Sequence, residues 1–287
     1  MINVTDYCIF SKHLHSLEIG EAAETAADAG FSGIDLTVRP GGHVDTGSGN
    51  SLESDLARAV EKITAAGLTC PMMVTSITGA DDPGAEQVLR AAADQEITRY
   101  RMGYLKYDYT SGMEENLDTF RRKMEQLCRL NEKTGVRGSY QNHGGNWLGS
   151  AVWDLWYTLK DLDPAWIGCQ YDVKHAVMEG GKSWINGLRI LLPWIGDADI
   201  KDGLWRPGEN GGFIPDSVPL GEGMVDWKSW RGLLNEGGFS GPLSLHFEFP
   251  LDPDNPEEPG SPEWKKQMTQ VMRRELGKCR SFAEGKS

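Results

Sequence analysis

Short runs of β-type apolar residues alternate with longer helical runs along the whole chain. The predicted strands are residues 4–11, 33–38, 69–75, 97–105, 137–143, 167–172, 195–201 and 242–249. The predicted helices follow them at residues 17–29, 52–66, 84–95, 114–134, 152–159, 184–192, 227–236 and 263–282. Eight strand–helix units in succession predict an α/β fold with a parallel sheet, closed into a single (β/α)8 TIM barrel over residues 1–287.

Helix-capping residues lie where this organisation requires them. Gly30 and Gly135 end predicted helices, and Asp226 is a good N-cap for the helix at residues 227–236. The segments after the second, seventh and eighth strands lack a regular pattern, and we expect irregular loops there. No Gly-x-Gly-x-x-Gly follows the first strand, which disfavours a dinucleotide-binding sheet, and no second domain is predicted.

The composition, 39% hydrophobic and 25% charged, is typical of a globular protein. No stretch approaches the ~18 apolar residues of a membrane helix, and the N-terminal MINVTDYCIF does not resemble a signal peptide. We therefore expect a cytoplasmic protein, unless a leader has been trimmed. The net charge of −13 disfavours nucleic acid and anionic membranes as partners, and leaves a homo-oligomer open. The five scattered cysteines predict free thiols.

Five of the six histidines fall at the predicted C-terminal rim of the barrel, where such barrels carry their functional residues. Strand alternation then determines which side chains face inward, because residues i and i+2 share a face. In the last strand, His246 and Glu248 oppose the apolar Leu245 and Phe247. The same reasoning aims seven side chains of four neighbouring strands at one space: Gln141, His143, Asp172, Asp199, Lys201, His246 and Glu248.

Buried charges must be paired or must bind something, and a divalent cation held by oxygen and imidazole ligands would meet that requirement. Each residue also has a purely structural interpretation. Asp172 would serve as a helix N-cap, Asp199 and Lys201 would form an ion pair, and His143 and His246 would be hydrogen-bonded core histidines. It is the joint pattern that favours a functional site.

Further polar residues near the rim are predicted to contact a small-molecule substrate. They are Lys12, His13, Asp35, Arg39, His43, His175 and Trp205. Arg39 would bind a phosphate, a carboxylate or a sugar hydroxyl, or would pair with a surface acid. Trp205 belongs to a group of aromatic residues near the mouth loops that would stack on a sugar ring.

The runs GFSGIDLTVRPGGHV, YQNHGG, YDVKHA, DIKDGLW, LGEGMVDW and GPLSLHFEF occur in this order. Across nearly the whole chain they resemble the sugar phosphate isomerase/epimerase-like family of xylose-isomerase-type barrels. The resemblance implies a divalent metal ion (Mn, Co, Mg or Zn) at the mouth, with His175 as a nearby substrate contact. Family ligands are Glu, Asp, His and Glu, and the matching positions here are Gln141, Asp172, Asp199 and His246, with Glu248, two residues on, as the alternative in the last strand.

Three of these four positions differ from the family pattern, although each keeps a group that can ligate a metal. Family epimerases transfer the proton between the first and last of these glutamates, and Gln141 cannot take a proton. The catalytic groups must then come from His246, Glu248, His143 or Lys201.

The resemblance therefore implies a metal-dependent isomerase or epimerase of a sugar or sugar derivative, acting by proton abstraction next to a carbonyl. Two alternatives stay open. One is a lyase or dehydratase that uses the same metal on an oxidised sugar, and the other is a non-catalytic barrel that binds a sugar or a partner protein. A DNA-repair endonuclease is disfavoured by the charge.

Overall fold

The computed structural model describes residues 2–252 and 254–286. The strands are β1 Asn3–Phe10, β2 Gly33–Thr37, β3 Thr69–Val74, β4 Arg99–Arg101, β5 Arg137–Gln141, β6 Ile167–Asp172, β7 Ile195–Ile200, β8 Asp202–Pro207, β9 Phe213–Val218 and β10 Ser240–Leu245. The α-helices are α1 Ile19–Ala29, α2 Leu52–Ala65, α3 Ala85–Asp94, α4 Met113–Thr134, α5 Val152–Leu159, α6 Val173–Gly180, α7 Trp184–Leu191, α8 Trp227–Glu236 and α9 Pro262–Glu284.

Eight parallel strands close into a barrel in the order β1, β2, β3, β4, β5, β6, β7, β10, and β10 pairs with β1 to complete the ring. The predicted (β/α)8 fold is confirmed. The ladder between β6 and β7 sets Asp172 opposite Asp199, and the next ladder sets Asp199 opposite Ser244. The register therefore puts these three side chains at one level, near the C-terminal ends of the strands.

Alternation along β6 shows why the barrel interior is polar. Ile167, Cys169 and Tyr171 belong to the apolar core between the sheet and the helices. Gln170 lies on the opposite face, where its Nε2 donates to Asp199 Oδ1 of the neighbouring strand β7 at 2.5 Å. Period-2 alternation thus places the apolar residues under the helices and the hydrogen-bonding residues inside.

A hydrogen-bonded cluster of three residues occupies the lower part of the interior. Arg137 Nη1 donates to Ser139 Oγ at 2.6 Å and lies 3.6 Å from Asp197 Oδ2, which also accepts from Ser139 Oγ at 3.0 Å. Burying an arginine and an aspartate is costly unless they are paired, and here each faces the other. Their mutual pairing accounts for the charged residues in this layer.

Helix α6 was not among the predicted helices, although the N-cap interpretation of Asp172 is consistent with a helix at this point. It begins directly after Asp172, whose Oδ1 accepts from the His175 backbone N–H at 3.1 Å. An aspartate that caps the first turn satisfies one of the amide groups left free at a helix start. Asp226 caps α8 in the same way, through the Ser229 N–H at 3.0 Å, as predicted.

The segment after β7 was expected to be irregular and is instead an antiparallel hairpin of β8 and β9. Its glycine-rich tip hid the pattern, because glycine and proline are depleted from strands in general. Asp202 closes the base of the hairpin: its carboxylate accepts from the backbone N–H groups of Gly203 and Gly221, each at 2.9 Å. Asp202 is thereby occupied by structural hydrogen bonds.

Three barrel strands are shorter than predicted at the rim. β4 covers only Arg99–Arg101, β5 ends at Gln141, and β10 ends at Leu245. His143, His246 and Glu248 therefore lie in the segments that leave the strands. Among the described residues, no helix has both the length and the apolar character needed to cross a membrane.

Candidate active site

A pocket of about 130 Å³ opens at the C-terminal mouth of the barrel. Its walls come from residues that end, or closely follow, the strands β1, β2, β4, β5, β7 and β10. The lining residues are Phe10, Lys12, Arg39, Arg101, Tyr104, Gln141, His143, Lys201, His246 and Glu248. Most were predicted for the site from the sequence, and the structure brings them into contact with a single space.

Lys201 is the central cation of the pocket floor, with only 3% of its side chain exposed. Its Nζ lies 2.9 Å from Asp172 Oδ2 and 3.1 Å from Glu248 Oε1. Burial alone would lower the pKa of Lys201, but the surrounding carboxylates outweigh it and hold the pKa above its ordinary value. Burial would likewise raise the pKa of Asp172, which the Lys201 ammonium instead lowers. Both groups are therefore charged at neutral pH.

Gln141 lies beside this ion pair, where the family resemblance implied a metal ligand. Its Nε2 donates to Asp172 Oδ2 at 2.7 Å, and its Oε1 accepts from the Arg101 guanidinium and from the Tyr104 hydroxyl. The amide thus bridges a carboxylate on one side and a cation on the other. Two of the four predicted ligands, Gln141 and Asp172, therefore contact each other, and the Asp172 carboxylate forms an ion pair with Lys201.

The other two predicted ligands, Asp199 and His246, meet Asp35. One ligand atom of each residue lies within 4.8 Å of the other two. Asp35 Oδ2 accepts from Ser244 Oγ at 2.7 Å, while Asp35 Oδ1 and Asp199 Oδ2 have no hydrogen-bond partner among the described residues. His246 Nε2 is 3.1 Å from Asp199 Oδ1, without the alignment of a hydrogen bond.

Two carboxylates and one imidazole with unpartnered buried atoms are a donor set that suits a divalent cation. The residues present therefore fit a metal ion at Asp35, Asp199 and His246. Burial raises the pKa of Asp35 to about 6, and the nearby charge of Asp199 adds to this effect. A cation at this place would remove the repulsion between the two carboxylates.

His246 lies between the two carboxylates, Asp35 and Asp199, and the mouth of the barrel. Its ring stacks on Phe10 with centroids 4.6 Å apart, and its Nδ1 lies 3.9 Å from Glu248 Oε1. Burial lowers the pKa of this imidazole, but the Asp199 carboxylate more than compensates and raises it above the ordinary value. Glu248 is also stabilised in its charged form, because His246 and Lys201 outweigh the effect of burial on its pKa.

His143, which lines the pocket, is in contact with His175: the ring centroids are 4.0 Å apart and the rings are tilted by 41°. His143 Nδ1 lies 2.9 Å from the Gly144 carbonyl oxygen, which can only accept, so Nδ1 carries the hydrogen. Burial lowers the pKa of His143, and it lowers that of His175 to about 3. His143 is thus neutral at pH 7, with the lone pair on Nε2.

The predicted substrate contacts divide into two groups. Lys12 and Arg39 line the pocket, whereas His13 supports it from behind: its Nε2 accepts from the Phe247 N–H at 3.1 Å. His43 lies beside Thr37 and the Leu17 carbonyl, and Trp205 lies in β8 with its Nε1 directed at the Met178 carbonyl. Neither His43 nor Trp205 lines the mouth pocket, and a ring nitrogen of each is directed at a backbone carbonyl instead.

Three pocket residues were missed from the sequence: Phe10, Arg101 and Tyr104. Arg101 ends β4, and its guanidinium lies 5.3 Å from the ring centroid of Tyr104, which follows the strand. The three-residue strand is too short to show a clear alternation. The signal available was the outward Tyr100, which belongs to the core and places its neighbour Arg101 inside.

A (β/α)8 barrel with a polar pocket and a buried carboxylate–imidazole cluster at its C-terminal mouth has the architecture of barrels that carry a functional site there. The family model described as xylose isomerase-like TIM barrel matches residues 23–273. The chain belongs to this family, and the resemblance drawn from its motifs is confirmed.

Solved structures with the same fold cover nearly the whole chain. A xylose isomerase domain protein from Planctomyces limnophilus is 15% identical with a TM-score of 0.67, over 98% of this chain and 99% of that one. An L-ribulose 3-epimerase is 15% identical, TM-score 0.68, over 99% and 95%. A probable 3-DHS dehydratase from Bacillus anthracis is 14% identical, TM-score 0.65, over 94% and 98%. No curated protein matches the chain in sequence.

Proposed function

We propose that the chain is an isomerase or epimerase of a sugar or sugar derivative, which moves a proton at the carbon next to a carbonyl. The observation that carries the proposal is the pair His143 and Glu248. Both line the pocket, and their parent strands β5 and β10 are separated around the ring by β6 and β7. Two proton-accepting groups facing one small space are what such chemistry requires, and the epimerase among the structural neighbours supports the same reaction class.

His143 is the proposed base for the first step. Its Nε2 takes the proton from the carbon, the C–H electron pair enters the new C=C bond, and the carbonyl oxygen becomes an oxyanion. The lowered pKa of His143 keeps the imidazole neutral and ready to accept. A base whose pKa lies near or below working pH is available in its active form throughout.

Lys201 and Glu248 serve the second half of the reaction. The Lys201 ammonium supplies positive charge for the oxyanion and hydrogen-bonds Glu248 Oε1 at 3.1 Å, which holds that carboxylate in the pocket. Glu248, whose side chain is 34% exposed, relays a proton from water to the opposite side of the carbon, and His143 releases its own proton to solvent; the product is an epimer. Return of the proton from His143 to the neighbouring carbon, while the hydroxyl proton of that carbon passes to the first oxyanion, gives an isomer.

A divalent cation (Mn, Co, Mg or Zn) at Asp35, Asp199 and His246 is part of the proposal. When bound, such an ion supplies further positive charge that stabilises a developing oxyanion. His246 then acts as a ligand, and the proton transfer stays with His143 and Glu248. This differs from the ligand set implied by the resemblance, because Lys201 already neutralises Asp172 at 2.9 Å.

A lyase or dehydratase is the second candidate. The observation that favours it is the Lys201 ammonium beside Glu248, which can protonate a departing hydroxyl after a single proton abstraction by His143. A probable dehydratase among the structural neighbours is consistent with this alternative. The two reactions differ in their products, since only the dehydratase or lyase loses water or breaks the carbon skeleton.

The test is turnover of a panel of keto-sugars, sugar acids and sugar phosphates in D₂O with divalent ions, followed by NMR and mass spectrometry. We expect deuterium next to the carbonyl, with an epimer or isomer as product. His143→Gln should lower kcat by about 10²–10⁴-fold, as expected for loss of a general base.

Glu209→Gln, an exposed change on the tip of the hairpin, is the matched control and should keep full activity. Absence of exchange with every sugar, or unchanged exchange in His143→Gln and Glu248→Gln, would contradict the proposal. Loss of water without epimerisation would instead support the dehydratase.

A further inference from the structure

Two guanidinium groups enter the mouth pocket without a carboxylate partner. Arg101 is 4% exposed, and Arg39 is half-buried. Their Cζ atoms lie 5.4 and 5.9 Å from the ring centroid of Phe10, so both groups converge on one ring. Within residues 2–252 and 254–286, no ion pair within 4.0 Å involves either arginine.

The hydrogen bonds of Arg101 go to neutral groups. Its Nη1 donates to Gln141 Oε1 and, at 3.3 Å, to the Tyr104 hydroxyl, while its Nε is buried with no hydrogen-bond partner. A glutamate at the position of Gln141 would neutralise this guanidinium. The amide fixes the orientation of the arginine without neutralising it, and the Asp35 carboxylate, which interacts with Arg101 electrostatically, lies beyond ion-pair distance.

The two arginines also act on each other. Burial lowers the pKa of Arg39, and the positive charge of Arg101 lowers it further. Stacking of a guanidinium on an aromatic ring contributes only ~0.5–2 kcal/mol, whereas an unpaired buried charge costs several kcal/mol. The missing partner of this pair is therefore an anion that enters the pocket.

Lys12 and Arg39 extend this cationic region outward. Both line the mouth pocket and also an adjoining groove of about 590 Å³, whose other walls include Thr37 and Ser76. The inner pocket is too small for a whole hexose derivative, but the pocket and groove together have the size of ordinary ligand sites. A ligand that spans both would pass directly by the two cations.

We propose that the substrate is an anionic sugar derivative, whose carboxylate or phosphate is bound by Arg39 and Arg101. This rests on the proposed function, and it names the substrate class for the same site. The forked guanidinium matches the paired oxygens of either group. The arrangement also concentrates positive charge at the mouth of a chain with a net charge of −13, which guides anions to this place.

Binding of matched sugar pairs by isothermal titration calorimetry tests the proposal without requiring turnover. The pairs are D-fructose with D-fructose 6-phosphate, and D-glucose with D-glucuronate, with inorganic phosphate as a further probe. We expect at least one anionic member to bind about tenfold or more tightly than its neutral partner. The advantage should shrink as salt is raised. The pair that shows the preference distinguishes phosphate from carboxylate.

Arg39→Gln is the decisive variant, because Arg39 forms no ion pair whose loss would disturb folding. It should abolish the preference for the anion, because it weakens binding of the anionic member far more than binding of its neutral partner. Arg90→Gln, which changes an exposed arginine on α3, is the matched control and should keep the preference. Equal binding of neutral and anionic sugars, or no binding of any anion, phosphate included, would overturn the proposal.

Calorimetry and the deuterium-exchange assay together separate this proposal from the proposed function. Anions that bind through Arg39 but show no deuterium exchange would leave the anion site standing and refute the isomerase. Deuterium exchange with a neutral keto-sugar, and no preference for anions in binding, would support the isomerase and refute the anion site.

Discussion

Replacing Lys201 by methionine isolates the ion pair on which the pocket floor depends. Lys201 is buried between Asp172 and Glu248, so its loss leaves the fully buried Asp172 without a cation at 2.9 Å. Removing one partner of a buried pair costs ~3–5 kcal/mol. The Gln141 amide and the His175 N–H still contact Asp172, and Glu248 is 34% exposed, so we expect the lower end, ~3 kcal/mol.

Thermal unfolding followed by circular dichroism measures this effect. With an unfolding entropy of ~2.1 cal/mol/K per residue, a chain of this length loses ~0.6 kcal/mol of stability per degree near its midpoint. The Tm of Lys201→Met should therefore fall by ~5 °C. Lys182→Met, at an exposed position, is the control and should leave the Tm within ~1 °C of the unchanged protein.

A second change shows whether the buried charge is the cause. Asp172→Asn combined with Lys201→Met removes the uncompensated carboxylate and should be less destabilising than the sum of the two single changes, by ~1 kcal/mol or more. A Lys201→Met protein with an unchanged Tm, or a strictly additive double variant, would refute the assigned role of the ion pair.

Three further predictions concern the metal, the base and a helix cap. Elemental mass spectrometry of tag-free protein loaded with Mn²⁺ should find the metal in the unchanged chain and in Gln141→Met, but not in Asp35→Asn. If Asp35→Asn retained the metal, the proposed location of the metal site would be wrong. Because the pKa of His143 is lowered below the ordinary 6.5, the rise of kcat/KM with pH should have its midpoint below pH 6.5; a midpoint above that value would exclude neutral His143 as the base. Asp226→Ala should cost ~1 kcal/mol in urea unfolding through loss of the α8 cap, with unchanged activity, and an unaltered midpoint would deny the cap its role.

Much of the candidate site follows from period-2 alternation on long strands. In β7 and its continuation, Asp199 and Lys201 share a face. His246 and Glu248, which follow β10, are likewise both in the pocket. Because a strand buried on its outer face leaves no other place for its polar residues, the sequence alone indicates that they point inward.

Other features depended on distances across the barrel. Arg101 sits on a strand of three residues, too short to carry a pattern, and Trp205 lies on a hairpin that strand propensity does not favour. The resemblance implied that Asp172 is a metal ligand, and only the three-dimensional arrangement shows that its carboxylate lies 2.9 Å from Lys201 Nζ. Which of several nearby charges pair is determined by fractions of an ångström that no linear pattern contains.

Local patterns along the chain predict the closed barrel, its polar interior and the rim that carries the candidate site, because alternation and caps depend on neighbouring residues and repeat along the chain. The pairings emerge only from the folded arrangement: Asp35 with Asp199 and His246, Gln141 with Arg101, and two arginines without an acid within ion-pair distance. These contacts join strands that are far apart in the chain, so they depend on ring order and register.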